Sequence, residues 1–253
     1  MTHDLDLAAL GAWGCDRVAG SLFWTVSGSH LYGFSSADSD VDLRGAFAAP
    51  LAALVGIRNV TDTREAKDVL GRREVESVAH EAGKYLRLLA KHNGYVLEQI
   101  FSPLVAHGTD FLERLRPIAR KCVTTGCHRH YRGFLQTTRN QFEKEAAKKA
   151  KTLLYAYRVV LTGIHMLETG EVEPHLPTLN DRFKLSFIPE LIERKASAEF
   201  GVLTDVDVAF HREQLAAWEK KLDAAHAASK LPAEPPWDEL DRFLVGLRLG
   251  HTV

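Results

Sequence analysis

The chain has 253 residues, with 45% apolar and 26% charged residues and a formal net charge of −1. These values are ordinary for a soluble globular protein and allow one large or two medium domains. They exclude a global basic field, so any nucleic-acid contact must come from a local patch. No apolar run reaches the roughly 18–20 residues of a membrane helix; "LLYAYRVVL" is broken by Arg158. The amino terminus, "MTHDLDLAALGAWGCDRV", lacks the basic-then-apolar order of a signal peptide. The 3 cysteines are sparse and odd in number, which suits free thiols in a reducing compartment. The expectation is a cytoplasmic protein without a membrane partner.

Residues 1–20 read as a helix through Leu5, Leu7, Ala8, Leu10 and Trp13. "SLFWTV", Ser21 to Val26, is β-prone and runs into Gly28-Ser29 and the turn-like "SHLYG". "SSADSD" is a loop by composition. "VDLRGAFAAP" reads as a strand closed by Pro50, and "LAALVGI" as a short helix or loop. Arg72 to His80 is a further strand. From Glu81 to Ile100 the spacing is helical, with a break at Asn93-Gly94. Beyond about residue 105 strand signals nearly vanish, and residues 108–122, 126–169, 187–200 and 205–229 read as helices. "LPAEPP" precedes a last helix with Asp238 in its first turn, where the helix dipole favours a negative charge. The expected fold class is α+β, with an α+β core over residues 1–115 and an all-helical domain over 116–253.

Two features carry chemistry. Gly28-Ser29 follows a strand and opens a helical turn, where free N–H groups and a hydroxyl suit phosphate oxygens, although a plain tight turn has the same composition. Asp40 and Asp42 stand two apart, so on a strand they point the same way and repel. A cation answers that repulsion: Mg²⁺ takes a few carboxylates together with substrate phosphates. A solvated loop-to-strand junction is the alternative.

A strand, Gly-Ser, a polar spacer and then D-x-D on a second strand together resemble the DNA polymerase β-type nucleotidyltransferase superfamily. "GSHLYGFSSADSDVDLRG", "KYLRLLAKHNGYVLEQIF", "IPELIERKASAE" and "PPWDELDRFLVGLRL" narrow the resemblance to the RlaP-like nucleotidyltransferases, a branch associated with RNA repair. Gly94 departs from that pattern, which usually has proline there. The resemblance implies a polymerase-β-like core that transfers a nucleoside monophosphate from an NTP, ATP foremost, to an acceptor hydroxyl and releases pyrophosphate. It implies that Gly28 and Ser29 hold the nucleotide, and that Asp40 and Asp42 bind two Mg²⁺ ions, with Mn²⁺ as a substitute. The third carboxylate, catalytic and metal-binding, falls on Glu76; Glu74 is two residues away on the same strand face and is the alternative register. A K…R pattern on a later helix points to Lys151 and Arg158 as nucleotide-binding, on the basic stretch "KEAAKKAKTLLYAYR"; a solvated helix face balanced by Glu143 and Glu145 is the alternative. Arg44 faces either the site or a salt bridge.

Other residues read as structural. Tyr155 and Tyr157 fit a helical core better than a base-stacking platform. Cys122, Cys127, His128 and His130 are too crowded for the usual paired zinc spacing and read as residues of a continuing helix. RNA is the acceptor the resemblance implies. A protein or small-molecule acceptor is the second enzymatic reading, and a non-catalytic NTP-binding or antitoxin-like module the third. No RRM or KH signature is present to choose among them.

Overall fold

The computed structural model describes residues 5–197 and 202–250. In chain order the elements are α1 (Leu7–Arg17), β1 (Ser21–Ser27), α2 (Gly28–Tyr32), β2 (Val41–Phe47), α3 (Leu51–Leu54), β3 (Thr63–Leu70), β4 (Arg73–Glu81), α4 (Ala82–Ala90), α5 (Gly94–Ile100) and β5 (Val105–His107). There follow α6 (Thr109–Lys121), α7 (Cys127–Lys144), α8 (Ala150–Thr169), α9 (Leu176–Phe183), α10 (Phe187–Ala196), α11 (Asp205–Ala228) and α12 (Trp237–Leu249). The chain is α+β, as its composition of elements in sequence suggests. The last residues of the helix expected over 187–200 lie outside the described residues, as do 1–4 of the expected first helix. Among the described residues, no helix is long and apolar enough to cross a membrane.

The described residues form two compact units. One comprises 5–31, 38–122 and 234–250, and the other 32–37, 123–197 and 202–233. The expected boundary at 115 falls inside α6, and α12 belongs to the unit that holds the sheet. Side-chain chemistry explains that allegiance. Phe243 of α12 packs edge-on against Phe111 of α6, and Glu239 accepts from Lys121 at 2.8 Å. Arg248 reaches the buried Glu81, 3.3 Å away, which also caps α4 by accepting from the Gly83 N–H.

The sheet has the order β3-β4-β2-β1-β5, with β2 and β4 parallel and the other neighbours antiparallel. Alternation along the strands gives it two different faces. Trp24 and Val26 of β1 share one face with Val41 and Leu43 of β2 and Val75 and Ala79 of β4, and pack on Leu10 and Trp13 of α1. Phe23, Thr25 and Ser27 lie on the other. That face is apolar where Phe23 meets Tyr85 and Phe111 and turns polar towards Ser27. The edge strand β3, "TREAKDVL", is not legible as a strand because its charges suppress the apolar alternation. Charges on an edge also discourage pairing with another chain. The three-residue β5 is too short to register in the pattern.

In the helical unit α8 is central, and nearly all of its residues from Thr152 onward are buried. The helix expected over 126–169 is interrupted at 145–149. Glu145 accepts from the Thr152 hydroxyl at 2.6 Å and from the Lys149 N–H, so it closes the start of α8 instead of continuing α7. Lys149 is extended and bridges to Val202. The stretch 174–186, unread in the sequence, holds α9, capped by the His175 ring. The segment 32–37 docks in this unit. Tyr32 and Phe34 meet Tyr155 edge-on, and Lys195 donates to the Ser36 hydroxyl at 3.0 Å.

Candidate active site

Gly28 ends the first strand with φ +64°, a left-handed conformation that favours glycine, and opens the short α2. A Cβ there would stand 2.0 Å from Asp42 Oδ2. The Gly-Ser turn and the D-x-D strand are thus packed directly on each other. Ser29 is buried behind Gly28. Register does the rest. Ser27 pairs with Asp42, Asp42 with Glu76, and Glu76 with Lys67, so one row of polar side chains crosses four strands on the same face. Asp40 is exposed, one residue ahead of β2, and its charge reaches Asp42 and Lys67.

The positive charge that two close carboxylates require is supplied by Arg44, two residues beyond Asp42 and on the same face. Its Nη2 donates to Asp42 Oδ1 at 2.8 Å and lies 3.8 Å from Glu76 Oε1. Its Nη1 donates to the carbonyls of Leu43 at 3.1 Å and Glu76 at 3.2 Å. Burial raises the Asp42 carboxyl above its ordinary value; Arg44 opposes this, and Glu76 and Asp40 add to it. Glu74, the alternative third carboxylate, is engaged elsewhere: Lys67 holds it at 2.7 Å, and its register partner is Val69. Sequence reasoning missed the buried His30, whose charge also acts on Asp42, and Lys67. Only strand pairing brings Lys67 to this row.

Asp40, Asp42 and Glu76 offer carboxylate oxygens only, a hard donor set that suits Mg²⁺ or Mn²⁺. In this structure Arg44 stands between Asp42 and Glu76. Among the described residues, no three His, Cys, Asp or Glu side chains are already drawn together as a cage. The donors fit the ions in kind and strand position; the cage is not preformed.

The other expected site residues lie in the helical unit. Lys151, in the first turn of α8, is exposed. Arg158 is 0% exposed. The two do not form a common cationic surface, because the stripe they share runs from the exposed Lys151 into the core. The Arg158 guanidinium lies 4.0 Å over the Tyr32 ring and 5.7 Å from that of Phe134; burial, helped by the Arg158 charge, holds the His130 imidazole down to about 4. This placement makes Arg158 a core residue in this structure. Emptying its site as Arg158→Ala should cost about 2–5 kcal/mol, the range for a large core side chain, whereas Arg158→Met should recover most of that. Urea midpoints of the two variants decide it.

Tyr157 is core, as expected, with its hydroxyl 2.8 Å from His211 Nδ1. Cys122 and Cys127 are buried, but α6 ends before Cys122 and α7 begins at Cys127, so the continuing helix expected there is broken. His128 pairs with Asp223 at 2.7 Å.

Residues 15–246 match the model of the RlaP family, described as RNA repair pathway DNA polymerase beta family. The chain belongs to this family. It is 34% identical over 152 residues to an uncharacterized protein of Methanocaldococcus jannaschii. That match covers 59% of this chain and 61% of the relative, less than two thirds of its length. A solved nucleotidyltransferase-like protein from Exiguobacterium sibiricum aligns over 88% of this chain and 72% of its own, with 12% identity and a TM-score of 0.33. Membership of the RlaP family makes the chain a member of a nucleotidyltransferase lineage, and the Gly28, Asp42 and Glu76 contacts lie within the matched residues.

Proposed function

We propose that this protein transfers a nucleoside monophosphate from an NTP, with ATP as the first candidate, to an acceptor hydroxyl on RNA. The supporting observation is the direct β2–β4 pairing of Asp42 with Glu76, one strand away from the positive-φ Gly28. The family's description supplies the RNA repair setting. Asp40, Asp42 and Glu76 would hold two Mg²⁺ ions, or Mn²⁺ in their place. When bound, such ions neutralise the triphosphate and lower the pKa of the attacking hydroxyl. The backbone N–H groups at Gly28 and Ser29 are assigned to the triphosphate, because no side chain of residue 28 keeps phosphate oxygens away. Glu76 is the group assigned to accept the acceptor's proton. It is exposed, beside Asp42, and less engaged than Glu74. Lys151, exposed in the first turn of α8, is kept as a candidate phosphate contact. The three cysteines form no disulfide, which fits a cytoplasmic location.

The test is transfer from α-³²P-labelled NTPs, one base at a time, with Mg²⁺ and total RNA, beside a parallel reaction offering total protein. Label in RNA that is lost in Asp40→Ala supports the proposal. Label in protein alone moves the acceptor to protein, and NTP binding without any labelled product turns the reading to a binding module. In the same assay Glu76→Gln should lower transfer about a hundredfold, the scale of a lost general base. Glu74→Gln should stay within about threefold of wild type, since it removes only a surface ion pair. The reverse ranking would assign the third carboxylate to Glu74.

A further inference from the structure

The row of side chains around Asp42 is unbalanced in charge. Asp40, Asp42 and Glu76 carry three negative charges, and Arg44 answers only one of them. Lys67, across from Glu76 in register, is committed to Glu74 at 2.7 Å. The row stays net negative, which favours a divalent cation. Arg44 is not a loose counter-ion. Its Nη1 is seated on two strand carbonyls, those of Leu43 and Glu76, while only Nη2 reaches the carboxylates. Those backbone bonds hold the guanidinium beside Asp42 and Glu76, two of the carboxylates that would hold the metal. Side-chain exposure is 23% for Arg44, 31% for Asp42 and 53% for Glu76, so all three side chains are open to solvent.

We propose that Arg44 is a positioning residue that competes with the divalent cation: it holds Asp42 and Glu76 in the metal-free protein and must give up its Nη2 contacts for the ion to bind. The inference rests on the metal-dependent transfer read above and deepens it. Its consequence is a cation affinity set below what the carboxylates alone would give, so that the site fills fully only when the metal arrives with further ligands such as substrate phosphates.

The experiment uses Mn²⁺ alone, without NTP, and follows free Mn²⁺ by electron paramagnetic resonance in the 253-residue chain. Arg44→Gln removes the competing charge and should tighten Mn²⁺ binding roughly fivefold, the scale of one partly exposed ion pair. Arg44→Lys keeps a charge but lacks the planar fork that bridges carbonyls and carboxylate, and should tighten it by less. Asp42→Asn should abolish the tight class of binding in both backgrounds. Circular dichroism and melting curves establish that each variant is folded, and Arg44→Lys carries the test if Arg44→Gln is not. Unchanged or weaker Mn²⁺ binding in a folded Arg44 variant overturns the competition while leaving nucleotidyl transfer untouched. Tighter binding that depends on Asp42, in a protein without transfer activity on any acceptor, upholds the competition and sinks the transfer reading. Absence of Asp42-dependent binding in wild type and both Arg44 variants overturns both.

Discussion

Asp42→Asn should lower nucleotidyl transfer by about a thousandfold or more, because charge stabilisation by carboxylate-held cations supplies most of what this class of site can offer. Single-turnover release of labelled pyrophosphate under saturating Mg²⁺ reads the loss. Retention of even a tenth of wild-type turnover would remove Asp42 from the chemistry. The same variant has a stability signature of opposite sign. Burial, reinforced by Glu76 and Asp40 and opposed by Arg44, holds the folded-state pKa of Asp42 above its ordinary 3.8. The folded protein therefore binds this proton more tightly than the unfolded chain does. The stability associated with Asp42 is greatest below the unfolded pKa and declines as pH rises through the folded one. Asparagine cannot ionise, so in EDTA the variant should be at least as stable as wild type at about pH 7, with the advantage gone at about pH 3. Urea titrations at the two pH values check this. A variant that is folded, stable and inactive separates function from architecture.

Gly28→Ala is the second large effect, and it arises from one methyl group. At φ +64° an alanine pays roughly 1–2 kcal/mol for the left-handed conformation. Its Cβ would also sit 2.0 Å from Asp42 Oδ2, so Asp42 must move. A displacement of about 1 Å at a reacting centre costs on the order of a hundredfold in rate. The control is Gly71→Ala in the β3–β4 turn, where φ is +67° but an added Cβ meets nothing within 4 Å. Gly71→Ala should lose similar stability from backbone strain and keep transfer near wild type. Equal losses of transfer in the two variants would mean that Gly28 acts through general stability and not through its packing on Asp42.

The broad architecture was legible because it rests on local signals. The β-prone residues of "SLFWTV" and the alternation in "VDLRGAF" mark β1 and β2, and the spacing of Tyr85, Leu86 and Leu89 marks α4. The motif residues Gly28, Asp40 and Asp42 were legible because their chemistry is carried by residue type and short spacing. Glu76 needed the family pattern, and its adjacency to Asp42 needed the β2–β4 register. Other features escaped the sequence for physical reasons. The edge strand β3 carries charges where alternation would show, and Glu145 closes one helix within an otherwise helical pattern. Arg158 has the composition of a surface cation, but the aromatic rings of Tyr32 and Phe134 accept it in the core.

The sequence by itself determined the fold class, the family and the D-x-D pair, because side-chain periodicity and motif spacing are local properties of the chain. The tertiary structure decided what surrounds them. Strand register set Glu76, rather than Glu74, beside Asp42 and brought Lys67 into the row. Packing gave α12 to the unit that holds the sheet, through Arg248, Glu239 and Phe243. It also resolved the two roles open to Arg44 into one position that is both site and salt bridge. Pairing and burial join residues far apart in the chain, and spacing along the chain carries no measure of either.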